Sequence, residues 1–561
     1  MKKEKILLIM LPFWTPLVPP QGISYLKHFL QHHGYTVKAK DGNTDEKFKE
    51  LYNKYFDILK EYVPPDKQGN FYNIGHDVLR NHMIAHVNKV DEKQYIELVR
   101  TIIYKTYFTS FSDFQVSLLN EVLDEFYRRL KEYLLILLKK ESPDVFGVSV
   151  LRDTIGPSLF AFKLCKEKYP HILTVMGGCV FSDHLRMNTP NFKNFVEKTP
   201  YIDKIVVGEG QLLFLNLLEE RFPPRKKVVT LEDIDGKTLG YSSLNVPDMT
   251  DFNVGQDYPY LSAQASSSCP NQCSFCNVAS FYGKYREKDP DQTVDEMIRL
   301  FETYRLQVFF MNDALLNRVA TPLARGLIKA DKALYWDGYL RVDGAVEDHD
   351  VTLLWRRGGM YRARLGVESG SQHVLDLIKK EITLDQTKKA LISLANAGIK
   401  TTTYWVVGHP GESETDFQET LNLLTELKEY IYEAECNPFI YGYSGQGKSE
   451  EWQDSRILLY PEEAADMLII QTWIVDGEPS REETYRRIAR FVEHCKKMGI
   501  PNPYSLHEIH NADKRWERLH KNAVPPLAHF KKNDAYINEC RDVKKIIYLH
   551  SSLQNDGDFG F

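Results

Sequence analysis

Short apolar runs recur along the first 215 or so residues: KILLIM, TVKAKD, VFGVSV, LTVMGG and KIVVGE. Runs of this length and composition suit strands buried in a parallel sheet. Helical stretches separate them, such as GISYLKHFLQHHG, which closes on a glycine stop. Strand and helix in alternation predict a doubly wound sheet. Between the second and third runs lies an insert at about residues 46–140. It is rich in Leu, Tyr and Lys, and NEVLDEFYRRLKEYLLILLKK carries a clear helical period. A structureless loop of that length does not fit a compact domain, so the insert is predicted to be a helical cap.

From 221 to 259 the chain is polar and rich in Pro, Gly and Asp, the composition of a linker. Alternation resumes over 260–443 with YLSAQAS, QVFFMND, LYWDGYLRVD, YRARLGVES, KTTTYWVVGH and ECNPFIYGY. Six such units predict a partial βα barrel, whose chemistry belongs at the C-terminal strand ends. Residues 444–561 turn helical and then polar. This region is expected to close the barrel mouth and select the substrate, with Tyr504, His507, His510, Trp516 and His520 as side chains to watch. The fold class is therefore α/β: a doubly wound domain over 1–220, a linker, a barrel and a helical C-terminal region.

Composition narrows the function. The 561 residues are 43% hydrophobic and 26% charged, with a net charge of -6, which gives no bulk electrostatic case for nucleic acid. No run of 18 apolar residues is present to span a membrane. The start, MKKEKILLIMLPFWTPLVPP, imitates a signal peptide, but its apolar run is a strand's length and prolines break it, so it reads as a first buried strand. Five of the eight cysteines (Cys165, Cys179, Cys436, Cys495, Cys540) are scattered singly, which fits a reducing, cytoplasmic compartment rather than a disulfide framework.

The other three stand together in SSSCPNQCSFCN, as Cys269, Cys273 and Cys276. Three thiols cannot pair among themselves. Thiolates select zinc, copper(I) or iron–sulfur. Structural zinc wants four protein ligands, and no Cys or His follows Cys276 until His349. A [4Fe–4S] cluster held by three thiolates leaves one iron open to a small molecule.

CPNQCSFC after a barrel strand resembles the radical S-adenosylmethionine (SAM) superfamily, in which the open iron chelates SAM and the reduced cluster cleaves it to a 5′-deoxyadenosyl radical. Phe275 matches the aromatic residue typical before the last cysteine. The resemblance extends to later strand ends. In FFMNDALLN it implies SAM contacts from Asn312 and Asp313. In GYLRVD it offers Arg341 for the SAM carboxylate, which a guanidinium grips bidentately. In GVESGS it implies ribose contacts from Glu368 and Ser369. In VVGHPGESETDF it implies a turn at Gly408 near adenine, with His409 where an apolar residue is common. A reductant such as flavodoxin or ferredoxin is implied as partner.

The first domain, through LTVMGGCVFSDH and YIDKIVVGEGQLLFLNLLEERF, resembles the Rossmann-like cobalamin-binding domain fused to many radical SAM enzymes. Gly177, Gly178, Gly208 and Gly210, with Glu209 among them, are expected to let backbone approach a large flat ligand. The Asp-x-His-x-x-Gly motif that ligates cobalt elsewhere is absent. Leu11, Trp14, Leu151 and Arg152 are then the candidates to line the lower cobalt face. The resemblance implies methylation of an unactivated carbon. An epimerase, cyclase or rearrangement reading competes, with Cys436 as its candidate hydrogen donor. A tRNA methylthiotransferase is disfavoured, because the first domain lacks three cluster cysteines, and a non-enzymatic cobalamin or redox-sensing module is disfavoured by the intact run of SAM-contact motifs. The substrate, whether peptide, small molecule, lipid or phosphonate, is left open.

Overall fold

In a computed structural model, residues 3–182, 185–240, 246–443, 451–502 and 506–520 are described, with side chains of the last stretch from Ala512 onward. They form two compact units. The first joins Met1–Pro64, Ile74–Asp257 and Leu458–Trp473; the second joins Pro65–Asn73, Tyr258–Ile457 and the chain from Ile474 on.

The first unit is built on strands β1 (Lys5–Met10), β2 (Thr36–Asp41), β3 (Val145–Ser149), β4 (Leu173–Gly177), β5 (Lys204–Val207) and β6 (Val228–Thr230). They lie parallel in the order β2-β1-β3-β4-β5-β6. The order reverses between β1 and β3, a topological switch point of the kind at which open α/β sheets take ligands. Ile6 and Leu8 alternate with Leu7 and Ile9 on β1, and all four are buried, as a sheet covered on both faces requires.

The stretch expected to be a linker instead supplies the sixth strand. Beyond it, Asp248 and Asp251 lie 3.2 and 2.8 Å from the buried Lys27 ammonium, and Met249 is fully buried. Its polar composition serves ion pairs rather than solvent. Likewise Leu458–Trp473 groups with the first unit because side-chain amides clamp its backbone. Asn191 and Gln471 exchange two hydrogen bonds at 2.7 and 2.8 Å, and Asn194 donates to the Ile469 carbonyl at 2.7 Å.

The insert is four helices: α1 (Glu46–Tyr62), α2 (Phe71–Asn88), α3 (Glu92–Tyr107) and α4 (Asp113–Glu141). A Ser112–Gln115 capping box starts the longest of them. His82 ties the layer together, its Nδ1 at 2.8 Å from the Tyr55 hydroxyl and its Nε2 at 2.8 Å from both the Tyr95 hydroxyl and Asn120 Oδ1.

In the second unit β7 (Leu261–Ala263) is followed by a small antiparallel pair, β8 (Ser266–Ser267) with β9 (Arg286–Glu287). Then come β10 (Val308–Met311), β11 (Tyr335–Arg341), β12 (Met360–Glu368), β13 (Lys400–Val407) and β14 (Glu433–Pro438). The larger strands lie parallel in the order β14-β13-β12-β11-β10-β7, an open half-barrel.

The C-terminal helix Leu506–Leu519 does not close the mouth of this barrel. Trp516 is fully buried edge-on to Tyr432, with ring centroids 5.7 Å apart, and Asp513 meets Lys400 at 2.5 Å and the Tyr432 hydroxyl at 2.8 Å. Lys400 begins β13 and Tyr432 immediately precedes β14, so this helix seals the N-terminal end of the strands. Trp516 and His520 are therefore remote from the chemistry expected at the other end. Tyr504 and the side chains of His507 and His510 lie outside the described residues, as does Cys540.

Candidate active site

The three cysteines occupy the connection between β8 and β9. Asp313, just past β10, fixes its entry: the carboxylate accepts from the Ala265 N–H at 3.1 Å, from the Ser266 hydroxyl at 2.6 Å and from the Ser266 N–H. Farther along, the Ser274 N–H donates to the Ile378 carbonyl at 2.9 Å, and the Cys276 N–H closes a turn onto Cys273 at 3.1 Å. Arg341, the last residue of β11, places Nη1 3.3 Å from Cys273 Sγ. Burial pushes the Cys276 thiol up to about 11, and the neighbouring Cys273 and Cys269 add to the rise. Loading metal there must displace protons. Among the described residues no three Cys, His or carboxylate groups close tightly enough to share one ion. A cube-shaped cluster, which spreads its thiolates over separate corners, does not need them to.

Two expected SAM contacts are otherwise occupied. Asp313 is 2% exposed, and its acceptors are taken by the corner it braces. Burial raises it to about 7, against the pull of those same hydrogen bonds. The Ser369 hydroxyl lies 3.2 Å from Thr420 Oγ1 and accepts from the Ser371 N–H at 3.1 Å, so it holds a turn. Asn312 is half-buried beside Asp313, its N–H on the Ala263 carbonyl at 2.9 Å.

Glu368 ends β12 at a register shift, with φ of 67°. A non-glycine residue there is held by its surroundings. What holds it is Lys380, whose Nζ meets Glu368 Oε1 at 2.6 Å with both side chains buried. A Cβ on Gly366 would fall 2.4 Å from that carboxylate, so a side chain there would have to displace the pair from over the strand. Lys380 also stands 5.9 Å from the Phe275 ring centroid, beside the last cysteine. Sequence reasoning passed over Lys380; its signal, a lysine in LIKKEIT twelve residues beyond Glu368, has no meaning until the turn folds back.

Gly408 has φ of 84°, and a Cβ there would fall 2.2 Å from the Thr484 hydroxyl. Its N–H donates to Glu412 Oε2 at 2.8 Å, and Arg487 grips the same carboxylate at 2.9 Å. The Gly-His-Pro-Gly-Glu turn is thus self-locking. His409 is buried edge-on to Phe439 and Trp452, with centroids 5.0 and 5.5 Å away, and serves as an aromatic in place of the usual apolar residue.

Cys436 does not face the reaction side. Its register partner Trp405 packs on Phe491 of helix Arg481–Met498, at 5.8 Å between centroids, and Cys495 of that helix acts on its thiol. Alternation along β14 turns Glu433 and Glu435 the other way, into the barrel. There Asp337 takes Arg362 at 2.6 Å and Arg364 at 2.8 Å. The hydrogen-donor role assigned to Cys436 fails on this geometry.

In the first unit, the expected cobalamin residues gather at the C-terminal sheet edge. Leu11 and Trp14 follow β1; Leu151 and Arg152 follow β3. These are the two strands that flank the switch point. Arg152 is paired with Asp77, which also holds Arg80 at 2.8 Å. Two of the glycines have reasons internal to the fold. A Cβ on Gly178, at φ of 116°, would fall 2.3 Å from the Val150 carbonyl, and one on Gly208, at φ of 115°, 2.9 Å from Leu231. Gly177 and Gly210 are not crowded in this way, and Glu209 precedes the helix that Gly210 begins. Gly178 and Gly208 do leave exposed backbone on that edge.

Residues 264–424 match the Radical SAM superfamily, so the chain contains a radical SAM domain. An anaerobic magnesium-protoporphyrin IX monomethyl ester cyclase of Rubrivivax gelatinosus is 27% identical over 314 residues, covering 50% of this chain and 54% of that one. The cobalamin-dependent radical SAM methyltransferase TokK of Streptomyces tokunonensis is 25% identical over 317 residues, covering 51% and 45%. The chain thus spans about half the length of the curated relatives it matches. Among solved structures, the radical SAM methyltransferase TsrM of Kitasatospora setae, with cobalamin and a [4Fe–4S] cluster bound, superposes with a TM-score of 0.58 at 12% identity, over 96% of this chain and 99% of that one. At that identity the likeness is one of fold: a Rossmann-like domain with a radical SAM half-barrel.

Proposed function

We propose that the chain is a cobalamin-dependent radical SAM enzyme that methylates an unactivated carbon. The observation that carries the reading is Arg341 at the rim of the three-cysteine loop, 3.3 Å from Cys273 Sγ, with the Glu368–Lys380 pair flanking the same loop. Cys269, Cys273 and Cys276 would hold a [4Fe–4S] cluster, whose chemistry is reductive cleavage of SAM to a 5′-deoxyadenosyl radical. Arg341 would take the SAM carboxylate and Glu368 the ribose hydroxyls, while Asp313 keeps the loop in place. The exposed edge at Gly178 and Gly208, with Leu11, Trp14, Leu151 and Arg152, fits a large flat ligand; cobalamin there would supply the methyl group. The electron comes from an external donor of the flavodoxin or ferredoxin kind. Among the described residues no helix is long and apolar enough to cross a membrane.

A second reading, radical rearrangement or cyclisation without methyl transfer, draws on the likeness to the magnesium-protoporphyrin ester cyclases. The two are separated by product analysis of anaerobically reconstituted protein with dithionite and SAM labelled in its methyl group. Methyl transfer yields S-adenosylhomocysteine as well as 5′-deoxyadenosine. Formation of 5′-deoxyadenosine alone selects the second reading, and neither product overturns both.

A further inference from the structure

The half-barrel is lined not by the branched apolar residues usual in such cores but by charge. Arg362 and Arg364 from β12 stand against Asp337 from β11 and Glu433 and Glu435 from β14, all five on the inward face. Asp337 is shared by both guanidiniums. Burial works to raise it, but the two cations outweigh burial and hold it below the ordinary range. Glu433 is raised by burial, and its Oε2 accepts from Thr402 at 3.1 Å. That leaves Glu435, nearest the C-terminal end of its strand. Its Oε1 accepts from Asn437 at 3.0 Å and from Asn73 at 3.4 Å. Its Oε2 is buried with no hydrogen-bond partner, in a residue only 3% exposed.

The polar wall extends beyond Glu435. Asn70 and Asn73 reach β14 from the segment Pro65–Asn73. Asn70 Nδ2 donates to the Cys436 carbonyl at 2.6 Å and to Asn437 Oδ1 at 3.2 Å, while its own Oδ1 is buried and unbonded. Glu435 Oε2, Asn70 Oδ1 and, on β11, Asp337 Oδ1 are thus buried acceptors without donors. A buried acceptor left unmet costs about 1–3 kcal/mol, a cost that a donor arriving with a ligand would relieve.

We propose that Glu435 is a substrate-positioning residue: its free carboxylate oxygen receives a hydrogen-bond-donating group of the substrate. The class is an amine, amide N–H or hydroxyl, and an anionic end is excluded. Both guanidiniums are held by Asp337, and burial raises Glu433 and Glu435, so the lining offers an incoming carboxylate or phosphate no free cation. Arg364 is already spent on Asp337 and on the Phe310 ring, 4.0 Å below it, so it is no counter-ion for an incoming anion. Glu435 is pushed up to about 7 by burial first and by Glu433, and Asn437, Arg364 and Arg362 pull the other way. Tyr339 and Tyr404 face the same space, and Cys436 backs it. A donor that binds as a cation draws out the ionised form.

The inference rests on the radical SAM reading only for placing substrate at this end of the barrel. The probe is methylammonium, with acetate of equal size as its anionic counterpart, followed by saturation-transfer NMR on the anaerobically reconstituted full chain at pH 8. Saturable methylammonium binding, weakened about tenfold in Glu435→Gln (about 1.4 kcal/mol) and partly restored in Glu435→Asp, is expected, with no acetate signal. The partial rescue is what a merely structural role would not give. Equal binding to wild type and Glu435→Gln, no saturable binding to wild type, or preference for acetate each overturns the proposal. If Glu435→Gln loses its cluster absorbance and so its fold, the wild-type and Glu435→Asp measurements decide alone. Dithionite-driven 5′-deoxyadenosine formation by wild type, without substrate, tests the radical reading separately.

Discussion

Glu368 shows how one residue joins sequence to chemistry. GVESGS marks it as a cofactor contact, but the motif is silent on the left-handed backbone at φ of 67° and on the lysine that sustains it. Replacing Glu368 with Ala should weaken SAM binding by about 1.5–3 kcal/mol, the range for hydrogen bonds to a charged group. Lys380→Ala should weaken it as well. If Lys380 acts through Glu368, the double variant falls well short of the sum; calorimetric titration of all three checks this, and full additivity would assign Lys380 a separate contact. For the cysteines the expectation is simpler. Any one of Cys269, Cys273 and Cys276 changed to Ala should abolish 5′-deoxyadenosine formation. Such residues were legible because soft thiolates at fixed spacing have few other uses. Asp313 and Ser369 sat in the right motifs yet turn inward, since a motif fixes position along a strand and not which neighbour claims the side chain.

At the scale of elements, periodicity carried the two parallel sheets and failed where side chains, not pattern, decide placement. The polar stretch after Arg221 reads as linker, yet Lys27 draws two of its aspartates in and Val228–Thr230 joins the sheet. The helix bearing Trp516 reads as a lid, yet Lys400 and Tyr432 anchor it at the opposite end. Trp516→Ala should cost about 3–5 kcal/mol of stability, as removal of a fully buried tryptophan does, and leave the SAM affinity unchanged; a changed affinity would return this helix to the active site. The insert carries a pH prediction. Burial lowers His82 to about 3 and His86 to about 4. A base whose folded value lies below its unfolded value of about 6.5 stabilises fully above that value and loses its contribution as pH falls toward the folded value. Between pH 7 and 5 the insert should therefore lose about 2 kcal/mol per buried histidine. Hydrogen exchange of helices α2 to α4, corrected for intrinsic rates, should show accelerated opening over that window, and His82→Asn should blunt the effect.

For the molecule as a whole, the fold and the cysteine loop argue for two cofactors, and the sharper test concerns the second. The described residues that follow β1, β3, β4 and β5 include no histidine, and the chain lacks the Asp-x-His-x-x-Gly motif. What stands there instead is apolar or already charged: Leu11, Trp14, Leu151, and an Arg152 neutralised by Asp77. None of these is a nitrogen donor to a metal, because a guanidinium stays protonated and an indole nitrogen only donates. None of the described residues at this edge would give cobalamin a protein nitrogen below the cobalt; His184, which follows β4 in the sequence, lies outside the described residues. A nitrogen ligand splits each cobalt line of the Co(II) electron paramagnetic resonance spectrum into three. The protein purified anaerobically with cobalamin should lack that splitting. Arg152→His, which puts an imidazole at the end of β3, should introduce it if Arg152 faces the cobalt. Triplets in the unaltered protein would reveal a ligand drawn from elsewhere in the chain. Turnover without any retained cobalamin would remove methyl transfer from this enzyme and leave the radical rearrangement in its place.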